Sequence, residues 1–141
     1  MVPIDNTSAL IVRNEGIRLH PYRCPGGRLT IGIGRNLDDL GITKAEALYL
    51  LDNDIQRVEG ELDEGLPWWR ELSAVRQAVL IDMCFNMGFH SLFGFVRMLM
   101  ALQRGDWSQA ATEIRGSDYY SQVGARAKRL LRMIETDEWP T

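Results

Sequence analysis

NEGIRLHPYRCPGGRLTIGIGR, residues 14–35, is the stretch of sequence from which the fold can best be predicted. It predicts a helix that ends at Glu15, a glycine that turns the chain, and then a short β-hairpin. Residues 28–34 alternate between apolar side chains and a set of polar residues and glycines, as in a strand with one buried face. A Pro-Gly-Gly turn and a partner strand over residues 21–24 complete the hairpin.

The hairpin predicts one wall of a cleft. Its apolar residues are assigned to the buried face, so we expect Thr30 on the exposed face beside Gly32 and Gly34. The two glycines leave that face without bulky side chains, and a flat ligand could lie close to the backbone there. The hairpin also returns Cys24 and Thr30 toward Glu15. We therefore expect three reactive groups to converge.

The composition bounds the class of protein. With 141 residues, of which 45% are hydrophobic, the chain is long enough to bury a core, as one domain compatible with two lobes around a cleft. A formal net charge of -3 gives no support to nucleic-acid binding or to general adhesion to an anionic cell wall. His20 and His90 lack companions at metal-ligand spacing, so we predict no metal and no cofactor. Cys24 and Cys84 are predicted to be free thiols.

The N-terminal sequence carries no recognisable export or anchoring signal. MVPIDNTSAL lacks a basic segment followed by an apolar run, and no window approaches the roughly 18 apolar residues of a membrane span. From these features we expect no membrane insertion and a protein that is made and kept in the cytoplasm.

Capping residues predict where the helices begin. The candidates for the first helix are Asp5, Asn6, Thr7 and Ser8. Residues 36–42 are turn-rich, and Thr43 with Glu46 has capping-box spacing at the start of a long helix over about residues 44–62. Further helices are expected after Ser73, after Asp106, after Ser117 or Asp118, and over residues 125–134, while residues 92–102 continue the core.

The active-site pattern resembles that of the phage-type lysozymes, the muramidases of glycoside hydrolase family 24. Eight residues separate Glu15 from Cys24, and five separate Cys24 from Thr30, which begins the segment TIGIG. The likeness continues in the family's order through ITK (42–44), AVR (74–76), FNMG (85–88), WSQAA (107–111) and RAKR (126–129). An ordered set that covers most of the chain is far more specific than any one of these motifs.

This resemblance implies a mainly helical α+β fold, the lysozyme-like fold, as a single domain over residues 1–141. It implies a small lobe of about residues 14–43 that bears a short antiparallel sheet. A helix of about residues 44–62 would join this lobe to a helical lobe of about residues 63–141, to which the N-terminal helix also belongs.

The resemblance also implies a function. The expected reaction is hydrolysis of the β-1,4 bond between N-acetylmuramic acid and N-acetylglucosamine in peptidoglycan, by direct attack of water with inversion. The expected role is that of a bacteriolytic phage or prophage endolysin that lyses the host cell. It would act as a monomer, stay in the host cytoplasm until a holin-type lesion opens the membrane, and then reach the periplasm and the cell wall.

Three catalytic roles follow from the family pattern. A carboxyl group at a helix end facing an apolar hairpin is suited to donate a proton, which assigns Glu15 as the acid, although a glutamate before a glycine is otherwise a common surface residue. Thr30 would hold the attacking water, or could be an ordinary strand residue. Cys24 stands where the family most often has aspartate. It could orient or activate the water, attack the sugar itself, or mark a weakened enzyme; we favour an active Glu15/Cys24/Thr30 variant.

Residues outside this group are predicted to bind substrate or to support the site. Gly34, Phe85 and Asn86 are the expected substrate-binding residues; Asn86 could bond an N-acetyl group or the attached peptide, whereas Phe85 is expected to be mainly core. Arg35 and Asp54 occupy positions that pair in the family, with two separate surface charges as the alternative.

Two rival functions remain open from the sequence. One keeps the enzyme class but changes the reaction, to cleavage of chitin-like polymers or to transglycosylation. The other is a catalytically silent module of the same fold that binds the cell wall or an inhibitor, with Cys24 as the disabling change.

Overall fold

The computed structural model describes residues 5–141, which are mainly helical and carry one small antiparallel sheet. The predicted α+β class is confirmed. The elements are α1 (Asn6–Glu15), β1 (Arg18–Arg23), β2 (Leu29–Gly32), β3 (Arg35–Asn36), α2 (Leu37–Leu40), α3 (Lys44–Gly65), α4 (Ala74–Met87), α5 (Phe89–Phe93), α6 (Val96–Gln103), α7 (Trp107–Arg115), α8 (Asp118–Val123) and α9 (Ala125–Thr136). They form two compact units, one ending at Tyr49 and one beginning at Leu50.

Helix α1 of the first unit ends where the sequence predicted. Among the four candidate caps, Asp5 takes the role, because its carboxylate accepts the Ser8 amide hydrogen at 2.7 Å. Gly16 ends the helix with φ of 75°, and its amide donates to the Val12 carbonyl at 2.7 Å. The helix therefore presents Glu15 as its last residue.

The sheet has the order β1-β2-β3, with both pairs antiparallel. Strand β1 begins at Arg18, earlier than predicted, and ends at Arg23, so Cys24 lies just outside it. The predicted exposure of Thr30 is wrong, since the residue is only 4% exposed. Ile33, which was expected on the buried face, is 44% exposed because the strand alternation does not run through residue 34. Strand β2 ends at Gly32, the chain turns, and the short β3 covers the other edge of β2.

The connection to α3 is more ordered than a simple turn. Residues 37–40 form the one-turn helix α2, which is capped by Asn36. The predicted capping box is confirmed: the Thr43 hydroxyl accepts the Glu46 amide at 3.1 Å, and the Glu46 carboxylate accepts the Thr43 amide at 2.8 Å. Helix α3 then continues to Gly65, three residues past its predicted end.

The second unit contains the hydrophobic core. The predicted caps Ser73, Asp106 and Ser117 each accept a backbone amide at the start of α4, α7 and α8. The fully buried large side chains are Trp69, Leu62, Leu80, Met83, Leu92, Met98, Leu102, Ile114, Ile134, Val58 and Val79. Residues 92–102 supply part of this core, as predicted. No helix within residues 5–141 has the length and hydropathy needed to cross a membrane.

Candidate active site

Glu15 and Gly34 are brought into direct contact within the first unit. A methyl group in place of the Gly34 α-hydrogen would lie 2.9 Å from Oε2 of Glu15 and 3.1 Å from its carboxyl carbon. Gly34 also has φ of +71°, a conformation that glycine adopts without strain. Only glycine therefore allows both this turn and this position of the Glu15 carboxyl group.

Cys24 and Thr30 are tied to one backbone carbonyl. The Cys24 amide donates to the carbonyl oxygen of Arg28 at 3.0 Å, and the Thr30 hydroxyl donates to the same oxygen at 2.9 Å. The Gly27 amide donates to the Cys24 carbonyl at 2.8 Å and closes the turn between β1 and β2. The hairpin thus holds the backbone of Cys24 and the buried Thr30 hydroxyl at one shared acceptor.

The surroundings of Cys24 favour its thiolate. The pKa of the Cys24 thiol is lowered, foremost because the Arg28 backbone amide hydrogen-bonds the sulfur, with a smaller contribution from the Gly26 amide. The other thiol behaves oppositely, because burial raises the pKa of Cys84. Both cysteines are free, as predicted, and Cys24 is the one whose setting supports reaction.

The predicted glycine-lined wall beside Thr30 is not what the structure contains. Gly32 is the last residue of β2 and Gly34 lies in the turn that follows it, and both have φ of +71°. The contribution of Gly34 is instead its contact with Glu15. Sequence alternation could not reveal this, because a Gly-X-Gly segment fits a strand pattern and a left-handed turn equally well.

An ion pair between Arg35 and Glu46 connects strand β3 to the first turn of α3. Nη1 and Nη2 of Arg35 donate to the two Glu46 carboxylate oxygens at 2.9 and 2.7 Å, and Nη1 also donates to the Gly41 carbonyl at 3.0 Å. The Arg35 guanidinium foremost, together with the Thr43 amide, lowers the pKa of Glu46 to about 2.

Arg35 and Asp54, which were predicted to pair, each have another partner within their own unit. Asp54 lies 3.4 Å from Arg57, one helical turn away on its own helix. The turn and α2 bring the first turn of α3 beside β3, so the nearest carboxylate to Arg35 is the capping residue of that helix. The capping-box motif predicted the hydrogen bonds between Glu46 and Thr43, but not the ion pair between Glu46 and Arg35.

Phe85 and Asn86 lie in the second unit, in the last turn of α4, and both are exposed. The prediction that Phe85 is mainly core is wrong, since 45% of its surface is accessible. The core-facing residues of that turn are Met83 and Cys84. The structure thus groups Glu15, Cys24, Thr30 and Gly34 in one unit, and places the two other predicted substrate-binding residues in the other.

Across residues 5–141, no three His, Cys, Asp or Glu side chains are grouped so that they could hold a metal ion. The candidate reactive groups described above are the Glu15 carboxyl group, the Cys24 thiol and the Thr30 hydroxyl.

Comparisons with a family model and with individual known proteins point to the same family. The family model described as "Phage lysozyme" matches residues 12–132. The chain is 33% identical to an endolysin of Acyrthosiphon pisum secondary endosymbiont phage 1, over 74% of this chain and 71% of that protein. It is 24% identical to a probable T4-type lysozyme of Dictyostelium discoideum, over 94% of this chain and 95% of that protein.

A further relative is a much longer protein. The pre-baseplate central spike protein Gp5 of Enterobacteria phage T4 is 28% identical over 95% of this chain, which spans only 28% of the spike protein's length. The matched region of the family model contains Glu15, Cys24, Thr30 and Gly34, as well as α4 to α8 and the first part of α9. The chain therefore belongs to the phage lysozyme family.

Proposed function

We propose that this protein is a muramidase that hydrolyses the β-1,4 bond between N-acetylmuramic acid and N-acetylglucosamine in bacterial peptidoglycan. The observation that carries the proposal is the arrangement of three reactive groups in the first unit. Glu15 is held against Gly34, while Cys24 and Thr30 share the Arg28 carbonyl. Membership of the phage lysozyme family supports the substrate class.

Glu15 supplies the proton in this mechanism. Its carboxyl group protonates the oxygen of the leaving N-acetylglucosamine as the bond to the anomeric carbon breaks. The positive charge that develops on the sugar is then met by a water molecule from the opposite face. The reaction leaves Glu15 ionised, and a proton from solvent restores it.

Cys24 and Thr30 position the attacking water. The lowered pKa of the Cys24 thiol makes its thiolate available to accept a proton from that water, and the Thr30 hydroxyl orients the water oxygen. Water attack in one step inverts the anomeric configuration. Attack by the sulfur of Cys24 would instead give a thioglycoside and, after hydrolysis, retention.

For the biological role we propose a monomeric endolysin that lyses the host cell. The relative named an endolysin is matched over 71% of its length, whereas the spike protein is matched over only 28%. The protein would remain in the host cytoplasm until a holin-type lesion lets it reach the periplasm and the wall. Detection of the protein outside intact cells that lack a holin would contradict this route.

The experiment is release of reducing muramic-acid ends from purified peptidoglycan by the parent protein, Glu15→Gln, Cys24→Asp and Cys24→Ser. We expect cleavage by the parent, none by Glu15→Gln, and activity in Cys24→Asp. The anomer first formed distinguishes water attack from sulfur attack. Release of anhydro-muramic ends, preference for chitin, or binding of peptidoglycan without cleavage would each refute the proposed hydrolysis.

A further inference from the structure

We propose that Arg35 and Glu46 are positioning residues for the reaction proposed above, on which this inference rests: their ion pair fixes the turn that places Gly34 against Glu15. In this proposal neither the Arg35 nor the Glu46 side chain contacts the substrate. The pair acts through the backbone of the hairpin, and its loss would misplace the reactive groups without removing any of them.

The geometry of the pair is that of a rigid clamp. The guanidinium makes two parallel hydrogen bonds to one carboxylate, and a further bond to the Gly41 carbonyl fixes its plane. A planar fork bound at two oxygens defines orientation as well as distance. Arg35 is therefore held at a single position relative to the start of α3.

The clamped residue is adjacent to the site in the chain and in the sheet. Arg35 directly follows Gly34, which contacts Glu15. In the β2–β3 ladder, Ile31 pairs with Arg35 and Thr30 pairs with Asn36. Because β3 contains only two residues, its ladder provides few backbone hydrogen bonds, and side-chain anchoring has a correspondingly large share in fixing it.

Glu46 is also held in place by hydrogen bonds to Thr43. Its amide donates to the Thr43 hydroxyl, and its Oε1 accepts both the Thr43 amide and a hydrogen of Arg35. The carboxylate thus connects the N-terminus of α3 to the hairpin. A glutamine at this position would keep the capping interaction, which accepts Glu or Gln, but would lose the charge and the second carboxylate oxygen.

Position and stability can be separated for this pair. The side chains are 36% and 41% exposed, and ion pairs with that degree of exposure add little to the free energy of folding. If the pair served only to stabilise the fold, Glu46→Gln would therefore change neither turnover nor the unfolding temperature appreciably. A positioning role predicts a loss of kcat with little change in the unfolding temperature.

The experiment compares Glu46→Gln with a matched control. Glu61→Gln removes a salt bridge of similar length, 2.9 Å to Arg57, on the part of α3 that belongs to the second unit. We expect Glu46→Gln to lower kcat about 10- to 100-fold with a small change in KM, since misplacement by about 1 Å can cost about that factor. Glu61→Gln should keep the parent kcat.

A second measurement does not depend on turnover. The rate of Cys24 alkylation as a function of pH reports the hydrogen bonds that the hairpin makes to its sulfur. In Glu46→Gln we expect the apparent pKa of Cys24 to rise toward that of an ordinary thiol, with no such change in Glu61→Gln. This readout tests the inference even if the parent cleaves nothing, in which case the proposed function alone fails. An unchanged alkylation profile in Glu46→Gln, or a kcat equal to the parent's, would overturn the positioning role.

Discussion

Replacement of Gly34 by alanine should abolish most of the activity. It should lower the free energy of unfolding by little more than the matched replacement of Gly32 does. Gly32 and Gly34 have the same φ of +71°, so alanine at either position meets the same backbone strain, about 1–2 kcal/mol. The sites differ in one respect. The new methyl group at Gly34 would meet the Glu15 carboxyl group, whereas at Gly32 no atom lies within 4 Å of it.

The size of the effect follows from the contact distances. The methyl carbon would stand 2.9 Å from Oε2 and 3.1 Å from the carboxyl carbon of Glu15, while carbon atoms in contact prefer about 3.5–4.0 Å. The carboxyl group is the end of a flexible side chain, so it can move aside by about 0.5–1 Å at little cost to folding. A shift of about 1 Å in a catalytic group costs about 100-fold in rate, or about 2.7 kcal/mol of barrier.

Kinetics and thermal unfolding of both variants test this reasoning. Each should unfold several degrees below the parent, at roughly 3 °C per kcal/mol for a chain of this length, and Gly32→Ala should keep kcat within a few-fold. Gly34→Ala should lose about two orders of magnitude. If Gly34→Ala turns over like the parent, or if Gly32→Ala loses as much, then the contact with Glu15 is not what positions the acid.

Three further outcomes are expected. Leu80→Ala, which empties a fully buried site in α4, should lower the free energy of unfolding by about 2–5 kcal/mol in denaturant titrations and leave the kcat of the folded fraction unchanged. The folded-state pKa of Glu46, about 2, lies below its unfolded value of 4.5, so its contribution to stability is present above pH 4.5 and is lost as the pH falls toward 2. Because the pair is partly exposed, this contribution is small, and Glu46→Gln should flatten the acid limb of stability against pH only slightly. A steeper acid limb in the variant would contradict the assignment. Iodoacetamide should modify Cys24 at a pH below that needed for an ordinary thiol, while Cys84 should react only in denaturant, and mass spectrometry of the labelled peptides distinguishes them.

The features that the sequence predicted well are those encoded by neighbouring residues. The caps at Thr43, Ser73, Asp106 and Ser117 were correct because the capping side chain and the amide that it binds lie within three residues of each other. The end of α1 at Glu15 was correct for the same reason, since the glycine that ends the helix is the next residue.

The errors concern contacts between segments that the chain brings together only on folding. The exposure of Ile33 was mispredicted because the alternation of residues 28–34 was extended past the end of β2 at Gly32. The pairing of Arg35 with Glu46 was not predicted because the position of the first turn of α3 beside β3 depends on how residues 36–42 fold. The composition of that segment indicates turns but not their direction.

The hydrophobic core and the proposed catalytic residues lie in different units, and this has a consequence for how the protein responds to mutation. Every buried apolar side chain found within residues 5–141 belongs to the second unit, whereas Thr30 is the buried residue of the first. The hairpin is thus held by polar contacts: the Arg28 carbonyl, the Arg35 pair, and the Asp38 carboxylate, which accepts the Leu29 amide at 2.7 Å. Such contacts are directional and add little net stability, so their loss changes geometry more than folding. Polar substitutions in the hairpin should therefore alter turnover, and apolar truncations in the second unit should alter stability.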